Sequence, residues 1–198
     1  MQLVRSAITH ADVLPCQRYG RLRDELRMTN AARSRLRRIG LGRGASIYFE
    51  NWDTIWFQLH EMLFLVDRGK TCVDDELRAF GPLVPRGREL VATLTFENSP
   101  LERRAWRWQW LTALERRISI SFRGERITGR EAETDNSDTG DAMTSVEFTR
   151  FEFTPEQARK FCVSGTPVTL RVDHPARSCS VIIPETTRMV LGRDLRSA

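Results

Sequence analysis

The chain predicts an α+β fold: one domain, residues 1–198, with a largely antiparallel mixed sheet packed by a central buried helix and a long basic N-terminal helix. Three observations lead there. Apolar residues recur at helical spacing in some segments and alternate in others. The two kinds of segment follow one another without a strict strand–helix–strand rhythm. The length, 198 residues, suits a single domain. With 40% hydrophobic and 29% charged residues, such a chain buries a core without disulfides or structural metal.

The elements follow in order. Thr9 with Asp12 resembles a capping box, and Pro15 suits the first turn of a helix running to about Arg38. Its apolar positions, Tyr19, Leu22, Leu26 and Leu36, are few, so its buried stripe is narrow. Gly40-Leu-Gly-Arg-Gly44 ends it. That run is no phosphate loop, because the closing Lys-Ser/Thr is missing and a strand follows. Ser46 to Glu50 forms that strand, with Ile47 and Phe49 on one face. Asn51 or Asp53 caps a helix to about Arg68. Ile55, Trp56, Leu59, Met62, Leu63 and Val66 make one broad apolar face, and Phe57, His60 and Phe64 add a second, so this helix is expected to be the most buried element.

A short helix spans Asp74 to Phe80, ended by Gly81-Pro82. Leu90, Ala92, Leu94 and Phe96 alternate in a strand from Arg88 to Glu97. Pro100 opens a helix through Arg117, and Ile118, Ile120 and Phe122 mark the next strand. The stretch at about 130–142 is acidic, lacks large apolar residues and carries turn formers, which predicts a mobile loop. The strand from Ser145 sets Val146 and Phe148 in one phase and Phe151 and Phe153 in the other, which predicts a bulge near Thr149-Arg150. Thr154-Pro155-Glu156 starts a helix, Val168, Leu170, Val172, Val181 and Ile183 continue the sheet, and Pro184 opens the last helix.

Charge is unevenly placed. The formal net charge is +5, and between Arg18 and Arg43 nine arginines face only Asp24 and Glu25. A positive end of this kind suits an acidic protein partner, with nucleic acid as the alternative. Arg33, Arg35, Arg37 and Arg38 are expected to stay solvated and form the docking face. Trp108, set among Arg103, Arg104 and Arg107, is expected to point toward a partner while Trp106 and Trp110 enter the core. No uncharged apolar run reaches the ~18–20 residues of a membrane span. The start lacks a leader's apolar centre, which predicts a cytoplasmic protein. The four cysteines have no metal or redox spacing and read as small buried apolar residues, with no cofactor expected.

Motif chemistry is sparse. His60-Glu61 lacks the second histidine of a zinc helix, since Phe64 stands there. Asp135 to Gly140 imitates a calcium loop, whose closing carboxylate is replaced by Val146. No nucleophile elbow or dinucleotide fingerprint occurs. The remaining candidates for chemistry are Glu50, Asp53 and Glu61, around a helix apolar on both sides, and His174 at a strand end, which together are expected to line one polar cavity.

Several blocks resemble an uncharacterised bacterial family of unknown function. They are Phe49-Glu-Asn-Trp-Asp-Thr54, Phe57-Gln-Leu-His-Glu-Met62, Gly81-Pro-Leu-Val-Pro85, Leu90-Val-Ala-Thr-Leu94, Ser145-Val-Glu-Phe-Thr-Arg-Phe151 and Val172-Asp-His-Pro175. Genes of that family often neighbour those for rubrerythrin-type proteins and iron–sulfur oxidoreductases, so the resemblance implies a redox or peroxide-stress setting and a redox protein as partner. The sequence departs from the pattern at His60, where a glutamine is expected. That departure moves attention from His60 to Glu50, Asn51, Asp53 and Glu61. Three readings follow: a non-catalytic accessory protein docking an acidic partner, a metal-binding or acid–base enzyme using the carboxylates, and a nucleic-acid binder using the arginine-rich helix.

Overall fold

The structure is a computed structural model that describes residues 5–42, 44–66, 72–96, 118–132, 147–174 and 177–196. Its strands are β1 (Arg38–Gly42), β2 (Ala45–Phe49), β3 (Glu89–Phe96), β4 (Ile118–Phe122), β5 (Glu125–Thr128), β6 (Arg130–Glu131), β7 (Glu147–Glu152), β8 (Thr169–His174) and β9 (Arg177–Ile182). Its α-helices are α1 (Cys16–Arg35), α2 (Trp52–Val66), α3 (Val73–Phe80), α4 (Pro155–Phe161) and α5 (Glu185–Arg196). The fold is α+β as expected, but the strands form two sheets rather than one. The first runs β1-β2-β3-β7-β6 and the second β5-β4-β8-β9. Every described pairing is antiparallel.

Alternation in the strands builds the main core between the sheets. Ile47 and Phe49 of β2 sit opposite Leu94 and Ala92 of β3, and Leu90 sits opposite Phe151 of β7. These meet Ile118, Ile120 and Phe122 of β4 and Leu170 and Val172 of β8 in one apolar cluster. Phe161 of α4 and Leu191 and Leu195 of α5 close it. Thr154 caps α4 by accepting the Gln157 N–H at 3.2 Å, while Gln157 Oε1 accepts the Thr154 N–H at 3.0 Å.

The expected bulge is absent. β7 pairs residue for residue with β3 from Glu147↔Leu94 to Glu152↔Glu89. Phe148 and Phe151 face opposite ways because the first sheet is covered on both sides. Phe151 enters the inter-sheet core, and Phe148 packs into a second apolar cluster with Ile55, Leu59, Leu83 and Val84. A two-sided sheet needs no correction of phase.

Three strands, β1, β5 and β6, were hidden from the sequence. The expected end of α1 at Arg38 is wrong: the helix stops at Arg35, and β1 begins at Arg38 with Ile39 and Leu41 buried between exposed neighbours. β5 follows a two-residue turn in which Arg123 and Gly124 have φ of 46° and 78°, the pattern of a type I′ hairpin. The chain then passes to the first sheet at Gly129, where a Cβ would collide with Thr149 Cγ2. The loop expected at about 130–142 starts later, since Arg130–Glu131 is β6 and Ala132 is buried. The rest of that loop, the helix expected over 100–117 and the strand residues before Glu147 lie outside the described residues.

α2 is not the most buried element. Ile55 and Leu59 are sealed against the first sheet, but Met62 is 39% and Leu65 65% exposed, and Leu63 is only half-buried. Its second apolar side receives Tyr19 of α1, whose ring lies 5.1 Å from His60, 5.9 Å from Phe64 and 6.4 Å from Trp56. The helix is therefore sandwiched between the sheet and α1, and its remaining flank stays wet. Side chains with no exposure occur in α2 (Ile55, Leu59) as well as in the strands (Val91, Ile120, Phe151, Leu170, Val172).

Candidate functional site

Glu50 stands where β2 ends and α2 begins. Phe49 enters the inter-sheet core, so the alternation of the strand sends the next side chain to the helical side. Asn51 caps α2, its Oδ1 accepting the Thr54 N–H at 3.0 Å while Thr54 Oγ1 accepts the Asn51 N–H at 2.9 Å. The cap fixes the first turn and places Thr54 and Gln58 on a stripe facing Glu50. Thr54 Oγ1 donates to Glu50 Oε2 at 2.5 Å, Gln58 Nε2 donates to the same oxygen at 3.0 Å, and Thr93 Oγ1 of β3 donates to Oε1 at 2.5 Å. Burial pushes the Glu50 carboxyl above the usual carboxylate range, against the pull of those donors and of Arg37.

Arg37 closes the other side. It was expected to be solvated, yet it is 4% exposed. It lies where the chain turns from α1 into β1, and its carbonyl accepts the Phe49 N–H at 3.0 Å. Its guanidinium grips Asp194 of α5 with two bonds, Nη1 to Oδ2 at 2.7 Å and Nη2 to Oδ1 at 3.0 Å. A bidentate pair of this kind ties the end of α1 to the last helix. Between α1, α2 and the first sheet lies a cavity of about 180 Å³. Its polar wall includes Asn30, Arg37, Glu50, Thr54, Gln58 and Thr93.

The other expected site residues go elsewhere. Asp53 pairs with Arg33 at 3.2 Å on the solvated side of the α1–α2 contact. Arg33 is thus half-buried and engaged rather than free for docking. Glu61 accepts from Arg23 Nε and Nη2 at 2.8 Å each and from the Tyr19 hydroxyl at 2.8 Å. The Arg23 bonds hold its carboxyl below the usual range, and burial together with Glu61 pushes the Tyr19 phenol up. His174 ends β8 in the second sheet, opposite Arg177, and its side chain lies outside the described residues. The structure thus brings Glu50 to the cavity and sets Asp53 and Glu61 in separate ion pairs. Trp108 also lies outside the described residues.

His60 has no free ring nitrogen. Nε2 accepts the Leu14 N–H at 2.9 Å, and Nδ1 lies 2.8 Å from the Trp56 carbonyl, so Nδ1 carries the proton. Burial lowers its pKa and keeps it neutral. Among the described residues no group of three or more His, Cys, Asp or Glu side chains is placed to hold a metal. The cysteines are not uniformly buried: Cys72 is exposed, whereas Cys162 and Cys179 pack at the edge of the core. No described helix is long and apolar enough to cross a membrane.

Sequence reasoning missed Arg37, Thr54, Gln58, Thr93 and Asn30. One signal was present: Glu50, Thr54 and Gln58 recur every four residues, which puts them on one stripe once α2 is capped at Asn51. Thr93 stands out of phase with Leu90, Ala92 and Leu94, which sends it to the same side. Arg37 gave no such sign, because Asp194 lies 157 residues away.

Comparison with solved structures finds a crystal structure from Burkholderia pseudomallei K96243, described as a novel protein of unknown function. It is 27% identical, covers 96% of this chain and 99% of its own, and superposes with a TM-score of 0.82. A search of curated proteins finds no match. The family model described as protein of unknown function DUF3501 matches residues 7–195, nearly the whole chain, so the protein belongs to the DUF3501 family.

Proposed function

We propose that this protein is a non-catalytic accessory protein that docks an acidic protein partner through the outward face of α1. The observation that carries the reading is the division of labour among the helix's arginines. Arg23 and Arg33 are spent on Glu61 and Asp53, and Arg37, just beyond the helix, on Asp194. Arg18, Arg21 and Arg35 are exposed and have no carboxylate partner among the described residues. Arg21, Met28 and Arg35 fall seven residues apart, on one line along the helix, and Met28 is 70% exposed. Only Tyr19 of the whole helix is buried. A helix that contributes one side chain to the core and aligns arginines around an exposed methionine is suited to an acidic surface with an apolar centre.

The family resemblance sets that partner in a redox or peroxide-stress context, with a redox protein as its chemical type. The carboxylate-enzyme reading loses support from the separation of Glu50, Asp53 and Glu61. The nucleic-acid reading rests on charge alone. The test is capture of partner proteins from the native host by the full chain and by an Arg21→Glu/Arg35→Glu variant. Capture of an acidic protein that weakens with salt and is lost in the variant supports the reading. Equal capture by both overturns it, and binding of random DNA with a steep salt dependence favours the third reading.

A further inference from the structure

The cavity beside Glu50 is built from side chains that the docking reading does not use. Thr93 directs its hydroxyl proton to Glu50, so its oxygen presents lone pairs to anything else in the cavity, whereas the Thr54 oxygen is already engaged by Glu50 and the Asn51 N–H. Asn30 Oδ1 is buried and has no hydrogen-bond partner among the described residues. Arg37 forms its ion pair with Asp194, and Glu50, the acidic group of the wall, has no salt bridge among the described residues. The cavity therefore offers acceptors and a latent negative charge. Its wall also includes a buried donor without a partner among the described residues, Arg37 Nε. Unsatisfied buried polar atoms of both kinds are costly unless something meets them.

We infer that this cavity binds a small primary ammonium compound carrying a hydroxyl or carbonyl oxygen, of the amino-alcohol type. Its ammonium group has three donors, which match Glu50, Asn30 Oδ1 and the Thr93 hydroxyl oxygen. Its oxygen accepts from Arg37 Nε. A space of about 180 Å³ admits a small ligand. A bare metal ion is a poor fit, because it needs oxygens closing around it at about 2.3–2.6 Å. Burial raises the Glu50 carboxyl, and an arriving ammonium favours its charged form, so binding draws Glu50 toward release of its proton. The charged or titratable groups facing it are Arg37 at the α1–β1 junction and Tyr48 of β2, with Asp194 of α5 behind Arg37. The neighbouring side chains from α1, α2 and β3 are neutral: Asn30, Ser34, Thr54, Gln58, Thr93 and Thr95.

The experiment is calorimetric titration of the full chain with ethanolamine, ethylammonium and ethylene glycol, in two buffers of different ionisation enthalpy at mildly acidic pH. Ethanolamine is expected to bind with buffer-dependent heat that reports proton release. Ethylammonium, which lacks the oxygen, binds more weakly, and ethylene glycol, which lacks the charge, does not bind. Glu50→Gln weakens ethanolamine binding by at least about tenfold. Asn30→Leu, at the helical edge of the cavity, also weakens it and serves as the reading should Glu50→Gln not fold. Met62→Ala, on the exposed flank of α2, leaves it unchanged. Absence of saturable ethanolamine binding, equal binding of ethylene glycol, a response to potassium or sodium chloride alone, or retention of affinity in a folded Glu50→Gln or Asn30→Leu variant would each overturn the proposal. None of these outcomes bears on α1 docking, which is read by partner capture.

Discussion

Tyr19, the single buried side chain of α1, donates its hydroxyl to Glu61 Oε1 at 2.8 Å, and Arg23 one turn further on grips the same carboxylate. This contact fastens a very polar helix to α2. It explains how 20 residues with almost no apolar face are held in a defined position, with Arg18, Arg21 and Arg35 exposed.

Tyr19→Phe removes one hydrogen bond to a charged acceptor and is expected to cost about 1.5–3 kcal/mol, read by urea denaturation. Because the folded protein holds the Glu61 carboxyl below its ordinary range, the pair contributes above the unfolded pKa. That contribution is lost as pH falls through the folded value. Wild type and Glu61→Gln should therefore differ in stability at neutral pH and converge in acid. A constant difference across the range would contradict the role given to the Glu61–Arg23 pair.

Glu50 has the opposite sign. Its folded pKa is raised, so its contribution is present below the unfolded pKa and is lost as pH rises through the folded value. Measured against wild type, Glu50→Gln should gain relative stability as pH rises from mildly acidic to alkaline. A relative loss over that range would show that the carboxylate is the favoured buried form.

The depth of the inter-sheet core sets the next expectation. Phe151→Ala, at a position with no exposure, should cost about 3–5 kcal/mol by thermal or urea unfolding. Met62→Ala, on the wet flank of α2, should stay within about 0.5 kcal/mol. Comparable losses at the two positions would restore α2 as the centre of the domain.

Arg37 and Asp194 join chain segments far apart in sequence. Asp194→Asn leaves a buried guanidinium without its counter-charge and should cost about 3–5 kcal/mol, more than the exposed pair Arg78–Asp75, for which about 0–1 kcal/mol is expected. Denaturant midpoints of Asp194→Asn and Asp75→Asn compare the two directly.

Much of the fold is legible in local pattern. Leu90, Ala92 and Leu94 announce β3, and Thr154-Pro155-Glu156 announces α4. The division into two sheets is not, because alternation tells which side chains share a face but not what covers the other face. Phe148 and Phe151 show this: their opposed phases suggest a defect until both sides of the first sheet are seen to be packed. The same ambiguity made α2 look central, since packing against α1 and packing against a sheet leave the same apolar stripe. At the candidate site, Glu50 was legible as a carboxylate between a strand and a helix. The burial of Arg37 was not, since a run of arginines carries no mark of which member meets a distant aspartate.

The most direct test of the docking role is partner capture by the Arg21→Glu/Arg35→Glu variant. Both arginines are exposed, so the thermal midpoint should remain close to that of wild type. Capture of the acidic partner should be lost, along with its salt dependence. A variant that folds as wild type does and still captures the same partner, with the same salt dependence, would contradict the assignment of α1 as the docking face.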